Sequence, residues 1–221
     1  MKKLLYLAIC LLQVNLLSAQ NETGVALSHY VFPEFKEGMV KMKSGAENKA
    51  LLNYNSITQE MIFDQNNQKL ALSEINTIDT VYIGKTKFVP VDSVFYEVIG
   101  TNTPYNLYVQ HKCDIQQPGK DSGYGTTTQT TATTALSGNY NRTNSGANSV
   151  YNLQLPSDFK ISPYTEFWLK KGNRYIKVSN AKQLQKIFPT KEAEIKAYLK
   201  TYKPDFKNQK DMVALINNIA K

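Results

Sequence analysis

The sequence predicts an α+β protein, in which an antiparallel β-meander (a barrel or a sandwich) is followed by a β-hairpin and three short carboxy-terminal helices. Apolar and polar residues alternate in short segments between residues 38 and 115, and turn-forming residues separate the segments. Strands this short, joined by turns this close, pair antiparallel because parallel strands need long crossovers. After residue 180 the apolar spacing changes to that of helices.

The meander is predicted from side-chain alternation, since successive side chains of a strand point to opposite faces. Val40 and Met42 fall on one face and Lys41 and Lys43 on the other. The same alternation recurs in four further pairs: Leu52 and Tyr54, Met61 and Phe63, Leu70 and Leu72, and Val81 and Ile83. The pair Asn66-Asn67 predicts a tight turn, because asparagine tolerates positive φ. A last strand is expected over residues 105–115.

The amino terminus has the pattern of a signal peptide over residues 1–19. Lys2 and Lys3 precede an apolar run at 4–12, and Leu-Ser-Ala at 17–19 is a cleavage site. The apolar run is too short to cross a bilayer. We therefore expect an exported protein, periplasmic or outer-membrane-associated, with no transmembrane span in the mature chain. Lipidation at Cys10 is the alternative to simple cleavage.

Composition divides the rest of the chain into three segments. Residues 20–116 form the antiparallel β domain, and residues 150–221 contain the β-hairpin and the helical carboxy-terminal unit. Between them, residues 117–149 are rich in Gly, Ser and Thr and carry little apolar surface to bury. Such a tract is typical of a loop or linker.

Charge is unevenly distributed. From residue 151 onward there are 14 Lys/Arg against 6 Asp/Glu, whereas residues 20–150 carry 10 against 12. A basic carboxy-terminal third favours an anionic neighbour, such as an envelope lipid surface, a glycan or an acidic envelope protein. The alternative is a solvated helical surface. Nucleic acid is not an expected partner, because the chain has an export signal and no recognition module.

The three helices are predicted from caps and breakers. Asn180 caps the first, which Pro189 ends, and Thr190 opens the second, which Pro204 ends. Asn208 starts the third. Apolar residues fall on one side of the last two helices: Ile195, Leu199 and Tyr202, then Met212, Leu215, Ile216 and Ile219.

Catalytic chemistry is not evident in the residues. Without the signal peptide, the chain has one cysteine, Cys113, and two histidines, His29 and His111. Cys113 is in phase with Leu107 and Val109, so we expect it buried and inert. No metal site, cofactor site or nucleotide-binding motif is expected. An alternative is a periplasmic thiol or hydrolytic enzyme that uses Cys113 and His111.

An aromatic and basic cluster around the predicted hairpin is the most ligand-like feature of the sequence. It comprises Tyr164, Phe167, Trp168, Lys170, Lys171, Arg174 and Tyr175. Aromatic rings flanked by cations hold sugars, nucleobases or peptides. A hairpin that buries Phe167 while Trp168 covers an edge explains the same residues without a ligand.

Three segments resemble a family of secreted, β-rich proteins of the Bacteroidota that has no assigned activity. They are Ala-Leu-Leu-Asn-Tyr-Asn at 50–55 through Glu-Met-Ile-Phe at 60–63, Val-Tyr-Ile-Gly at 81–84 through Lys-Phe-Val-Pro at 87–90, and Phe-Pro-x-Lys at 188–191. The resemblance implies an exported location and a similar architecture.

These observations predict a non-catalytic cell-envelope binding or accessory protein. Besides the thiol enzyme, a second alternative is a carrier that holds a small ligand inside a closed barrel.

Overall fold

A computed structural model describes residues 29–100, 103, 105–116, 120–121, 127–128 and 160–220. The predicted signal peptide, Cys10 and most of the Gly/Ser/Thr-rich tract lie outside these residues. Within them, the predicted α+β class is confirmed: a ten-stranded antiparallel sheet is combined with three helices.

Twelve strands are present in the described residues. They are β1 Lys36–Met42, β2 Glu47–Asn55, β3 Glu60–Gln65, β4 Gln68–Ala71, β5 Ile78–Ile83, β6 Thr86–Val91, β7 Val94–Ile99, β8 Leu107–Gln116, β9 Lys120–Asp121, β10 Thr127–Thr128, β11 Lys160–Lys171 and β12 Arg174–Lys177. The ten-stranded sheet has the order β12-β11-β8-β7-β6-β5-β1-β2-β3-β4, and β9 pairs with β10 separately. The large sheet is open, with β12 and β4 at its edges.

The turn between β3 and β4 shows how sequence sets the meander. Asn66 and Asn67 have φ of 53° and 63°. Two successive residues with positive φ form the turn that matches the twist of a two-residue hairpin. The predicted turn at these asparagines is therefore confirmed.

The sheet curls strongly toward one face. Tyr54 on β2 stacks on Phe88 of β6 at 5.7 Å between ring centroids, and lies 6.0 Å from the ring of His111 on β8. Strands β2 and β8 are five steps apart in the sheet, which in a flat sheet would separate them by about 24 Å. We call the side that carries these three rings the inner face and the opposite side the outer face.

The helices follow β12. They are α1 Ala181–Ile187, α2 Glu192–Tyr202 and α3 Gln209–Ile219. The predicted caps are confirmed, because the side chain of Asn180 accepts from Gln183 N and that of Asn208 accepts from Lys210 N and Asp211 N. Among the described residues, no helix is both long and apolar enough to span a membrane.

The second helix begins later than predicted. Thr190 lies in a 3-10 turn, Pro189–Lys191, and α2 starts at Glu192. Proline at the first position of that turn fixes φ but has no N–H to donate. A 3-10 turn therefore precedes the α-helix.

The inner face carries two cores. The helix-covered core joins strand residues Leu107, Val109, Phe167 and Leu169 to helix residues Leu184, Ile195, Met212, Leu215, Ile216 and Ile219. The meander core is built from Val40, Leu52, Tyr54, Met61, Ile78, Val81, Ile83, Phe88 and Phe95. The apolar stripes predicted for α2 and α3 thus face the sheet, except that Tyr202 is 66% exposed.

Candidate functional site

The predicted aromatic and basic cluster lies on β11 and β12, which the sheet holds firmly. Strand β11 pairs with β8 over ten residues and with β12 over four. Gly172, in the turn between β11 and β12, has φ of 59°, a conformation that glycine adopts without steric cost. Alternation along β11 sends Phe167 to the inner face and Trp168 to the outer face.

Four aromatic side chains form a continuous surface on the outer face, which we call the aromatic face. They are Tyr96 of β7, Tyr108 of β8, Trp168 of β11 and Tyr175 of β12. Tyr96 and Tyr108 are buried, at 6% and 8% exposure, whereas Trp168 and Tyr175 are partly exposed. Ring centroids lie 5.5 Å apart for Tyr96 and Trp168, 5.6 Å for Tyr96 and Tyr175, and 4.9 Å for Tyr108 and Tyr175. The contacts with Tyr175 are edge-to-face, a favoured geometry for aromatic pairs.

The hydroxyls of Tyr96 and Tyr175 and the indole N–H of Trp168 are hydrogen-bond donors on this surface at neutral pH. Burial raises the pKa of Tyr96 to about 12, with a further contribution from the Asp92 carboxylate. Burial likewise raises the pKa of Tyr175 to about 12, and its neighbour Tyr108 adds to the effect. The indole Nε1–H of Trp168 is buried and has no acceptor among the described residues. A buried donor without an acceptor costs free energy.

Charged groups border the aromatic face. Lys170 Nζ lies 5.5 Å from the centre of the Tyr175 ring, a cation–π distance. Glu166 accepts from Lys177 Nζ at 2.7 Å and lies 3.7 Å from Lys112 Nζ. The surface therefore combines flat apolar rings with both hydrogen-bond donors and acceptors at its border.

The structure separates the seven predicted residues. Trp168 and Tyr175 belong to the aromatic face, and Lys170 lies at its border. The other four lie elsewhere. Phe167 is in the helix-covered core, and Lys171 Nζ donates to the Ile187 carbonyl at the end of α1. Arg174 is exposed and is the strand partner of Lys171, whereas Tyr164 is 37% exposed near the end of β11 that is distant from the hairpin.

Sequence reasoning missed Tyr96 and Tyr108. Both sit on strands that were predicted, but their proximity to Trp168 depends on β11 pairing with β8 across a long segment of chain. The available signal was strand alternation, which places Tyr96 in phase with Val94 and Val98 on one face. Only the strand order brings that face beside the hairpin.

The predicted Cys113 and His111 pair does not have the contacts of a nucleophile and its base. His111 Nε2 is 2.6 Å from Glu97 Oε2, whereas the Cys113 thiol donates to the Asp114 carbonyl at 3.6 Å. Burial raises the pKa of Cys113 to about 11, so the thiolate is scarce at neutral pH. The geometry does not favour a thiol enzyme.

The prediction that Cys113 is buried is wrong. Leu107 and Val109 are fully buried, but His111 and Cys113 are only partly buried. Pairing between β7 and β8 stops at Glu97 and Val109, so among the described strands the rest of β8 has a neighbour on one side only. Burial therefore decreases along β8.

A cleft of about 780 Å³ opens beside this end of β8; we call it the β8 cleft. It is lined by the amino-terminal segment, the turn after β2, the ends of β8 and β11 and the loop before α3: Tyr30, Val31, Ser56, His111, Lys112, Asp114, Pro163, Tyr164, Thr165 and Lys207. A smaller cavity of about 480 Å³ lies at the other end of the sheet and includes Val40, Met42, Phe63, Leu72 and Ile78 in its lining.

Within the described part of the chain, no group of three or more His, Cys, Asp or Glu side chains is placed to hold a metal ion. The chain was also compared with models of protein families, with curated proteins and with solved structures. None of these three comparisons found a significant match.

Proposed function

We propose that this protein is an exported, non-catalytic binding protein of the cell envelope and that its aromatic face binds an acidic glycan. Export is supported by the signal-peptide pattern of residues 1–19 and by the resemblance to secreted proteins of the Bacteroidota.

The observation that carries the proposal is the aromatic face itself. Four rings from four adjacent strands form one surface, and no described helix covers it. Trp168 and Tyr175 are partly exposed and are packed against the buried rings of Tyr96 and Tyr108. Partly exposed aromatic side chains on a well-packed support are typical of interaction sites. Rigid strands hold the rings in place, which limits the entropy lost on binding.

A carbohydrate fits the chemistry of this surface better than a purely apolar partner. Sugar rings present C–H faces that pack on aromatic rings, and their hydroxyl groups both donate and accept hydrogen bonds. The tyrosine hydroxyls, Glu166, Lys177 and Lys170 supply matching groups. A ligand oxygen would also provide the acceptor that the Trp168 indole lacks among the described residues.

The acidic character follows from charge. The chain carries a net charge of +8, and the excess of Lys and Arg falls in the segment that contains β11, β12 and the helices. Around the aromatic face, the three lysines Lys112, Lys170 and Lys177 outnumber the two carboxylates Asp92 and Glu166. An excess of cations raises the local concentration of anionic ligands and speeds their association. A uronic-acid or phosphorylated sugar is therefore the expected class.

A glycan array followed by fluorescence titration tests the proposal. Trp168 is the only tryptophan, so its emission reports on the aromatic face directly. We expect at least one acidic glycan to change this emission, and Trp168→Ala or Tyr175→Ala to weaken its binding at least about tenfold. Tyr202→Ala, on the exposed side of α2, is the matched control and should bind normally.

Two results contradict the proposal. One is an array without any acidic glycan bound. The other is glycan binding that neither Trp168→Ala nor Tyr175→Ala weakens.

A second candidate function, carriage of a small apolar ligand, is favoured by the 480 Å³ cavity. Its lining combines Phe63, Met42 and Leu72 with polar residues such as Asn48 and Asp64, as in many ligand sites. Native mass spectrometry of gently purified protein would detect a retained ligand. A mass equal to that of the bare chain argues against this function.

A further inference from the structure

The carboxy-terminal half of β8 is an open strand edge. Residues 107–109 pair with both β7 and β11, but residues 110–116 pair only with β11. No other described strand takes the place of β7 along this edge. Alternate backbone N–H and C=O groups of this half therefore point to a side without a partner strand in the described part of the chain.

The β8 cleft lies along this open edge. His111, Lys112 and Asp114 form one wall, and Tyr30, Val31 and Ser56 belong to the segments opposite. A hydrogen bond of 2.6 Å from Gln110 Nε2 to Gln59 Oε1 ties the turn after β2 to β8. The β8 cleft therefore lies between the open edge of β8 on one side and the turn after β2 on the other, and the glutamine hydrogen bond holds that turn in place.

We propose that the β8 cleft binds an extended acidic peptide of a partner protein, which adds a strand to β8 at residues 110–114. Strand addition uses main-chain hydrogen bonds for affinity and side-chain pockets for specificity. Five residues of strand extend about 17 Å, so a peptide of five to seven residues spans the edge. This site shares Lys112 with the border of the aromatic face but uses none of its four rings, and it does not depend on the glycan proposal.

The lysines that line the β8 cleft favour a peptide with acidic side chains. The residues that line the cleft include two lysines, Lys112 and Lys207, and one carboxylate, Asp114. Lys112 Nζ lies 3.7 Å from Glu166 Oε1, which is not among the lining residues. His111 is already engaged by Glu97. In a strand laid along β8, one side chain lies directly opposite Lys112, so Asp or Glu is expected at that position and not opposite Asp114.

Hydrogen exchange of the free protein, followed residue by residue by NMR, is the first test. Amides of residues 107–109 have strand neighbours on both sides and should be protected. Among residues 110–114, every second amide should exchange at least about 100-fold faster, because it lacks an acceptor. Uniform protection would mean that another part of this chain covers the edge, and it would overturn the proposal.

Peptide selection is the second test. A phage-displayed library of linear seven-residue peptides should yield acidic sequences whose binding is measured by fluorescence polarisation. Lys112→Gln combined with Lys207→Glu should weaken binding at least about tenfold, whereas Lys182→Glu, on α1 and outside the cleft lining, should not. Methylation of peptide nitrogens should abolish binding at every second position only. Failure to select acidic peptides, or insensitivity to methylation, contradicts strand addition.

Discussion

The two faces of strands β7, β8, β11 and β12 differ in how they are packed. On the inner face, Phe167 and Leu169 are buried to 1% and 0% exposure beneath three helices. On the outer face, Trp168 and Tyr175 are partly buried and pack against neighbouring rings and valines of the sheet. Adjacent residues of one strand therefore stabilise the helix-covered core on one side and, under the proposed function, contact a ligand on the other.

The two faces differ in whether other elements of the protein cover their side chains. The inner face is complete, because α1 to α3 supply apolar side chains that fill the space above the strands. The outer face leaves Trp168 half-buried, with an indole N–H that no described residue accepts. An apolar, partly polar surface of this kind is typical of a binding site rather than of a core.

Truncating neighbouring residues of β11 tests this comparison most strongly. Phe167→Ala leaves a cavity under the helices and should lower the free energy of unfolding by about 3–5 kcal/mol. Trp168→Ala, one residue along, should cost less than half as much. Urea denaturation followed by circular dichroism measures both. Equal losses would mean that the outer face is also core.

Cys113 lies on β8 beyond the part that the helices bury, and the rate at which its thiol reacts measures how accessible and how ionised it is. The thiol is partly exposed, but its pKa is raised to about 11 by burial. At pH 8 it should react with a maleimide on the order of 100-fold more slowly than free cysteine, and faster as pH rises toward 11. Labelling as fast as free cysteine would mean that a nearby cation activates the thiol and would revive the thiol-enzyme hypothesis.

Helix α3 can be weakened without touching the sheet. Asn208→Ala removes the side chain that accepts from Lys210 N and Asp211 N, and should lower stability by about 1 kcal/mol. Asn218→Ala, on the exposed side of the same helix, is the control and should have little effect. Glycan binding should survive in both variants, since α3 lies over the inner face. Loss of glycan binding in Asn208→Ala but not in Asn218→Ala would mean that α3, on the inner face, affects binding at the outer face.

The pH dependence of the free energy of unfolding is expected to come from His29, which is on neither the inner nor the outer face of these strands. His29 is 3% exposed, its Nε2 has no partner among the described residues, and burial lowers its pKa below 6.5. The folded protein then binds fewer protons than the unfolded chain, so stability falls as pH decreases below about 6.5. His29→Gln should reduce this fall in urea midpoints between pH 7 and 5. An unchanged pH profile would assign the effect to other groups.

The meander and the helix caps could be predicted because they depend on local chemistry. Alternation around Val40, positive φ at Asn66 and Asn67, and capping by Asn180 and Asn208 involve residues close in sequence. Local rules act before any tertiary contact and survive in the final fold.

The aromatic face could be predicted only in part, because it depends on strand order. Trp168 and Tyr175 share a hairpin and were found together. Tyr96 and Tyr108 join them through the pairing of β11 with β8, which skips more than forty residues of chain between Gln116 and Lys160. The partial exposure of Cys113 was missed for a similar reason, since it follows from where β7 stops pairing with β8.

The most direct measurement is the indole N–H signal of the single tryptophan in a two-dimensional NMR spectrum, recorded while an acidic oligosaccharide selected from the array is added. Binding at the aromatic face predicts a saturable shift of that signal, with an affinity equal to the one obtained by fluorescence. Saturable binding that leaves the indole signal in place would put the glycan elsewhere and contradict the assignment of the outer face.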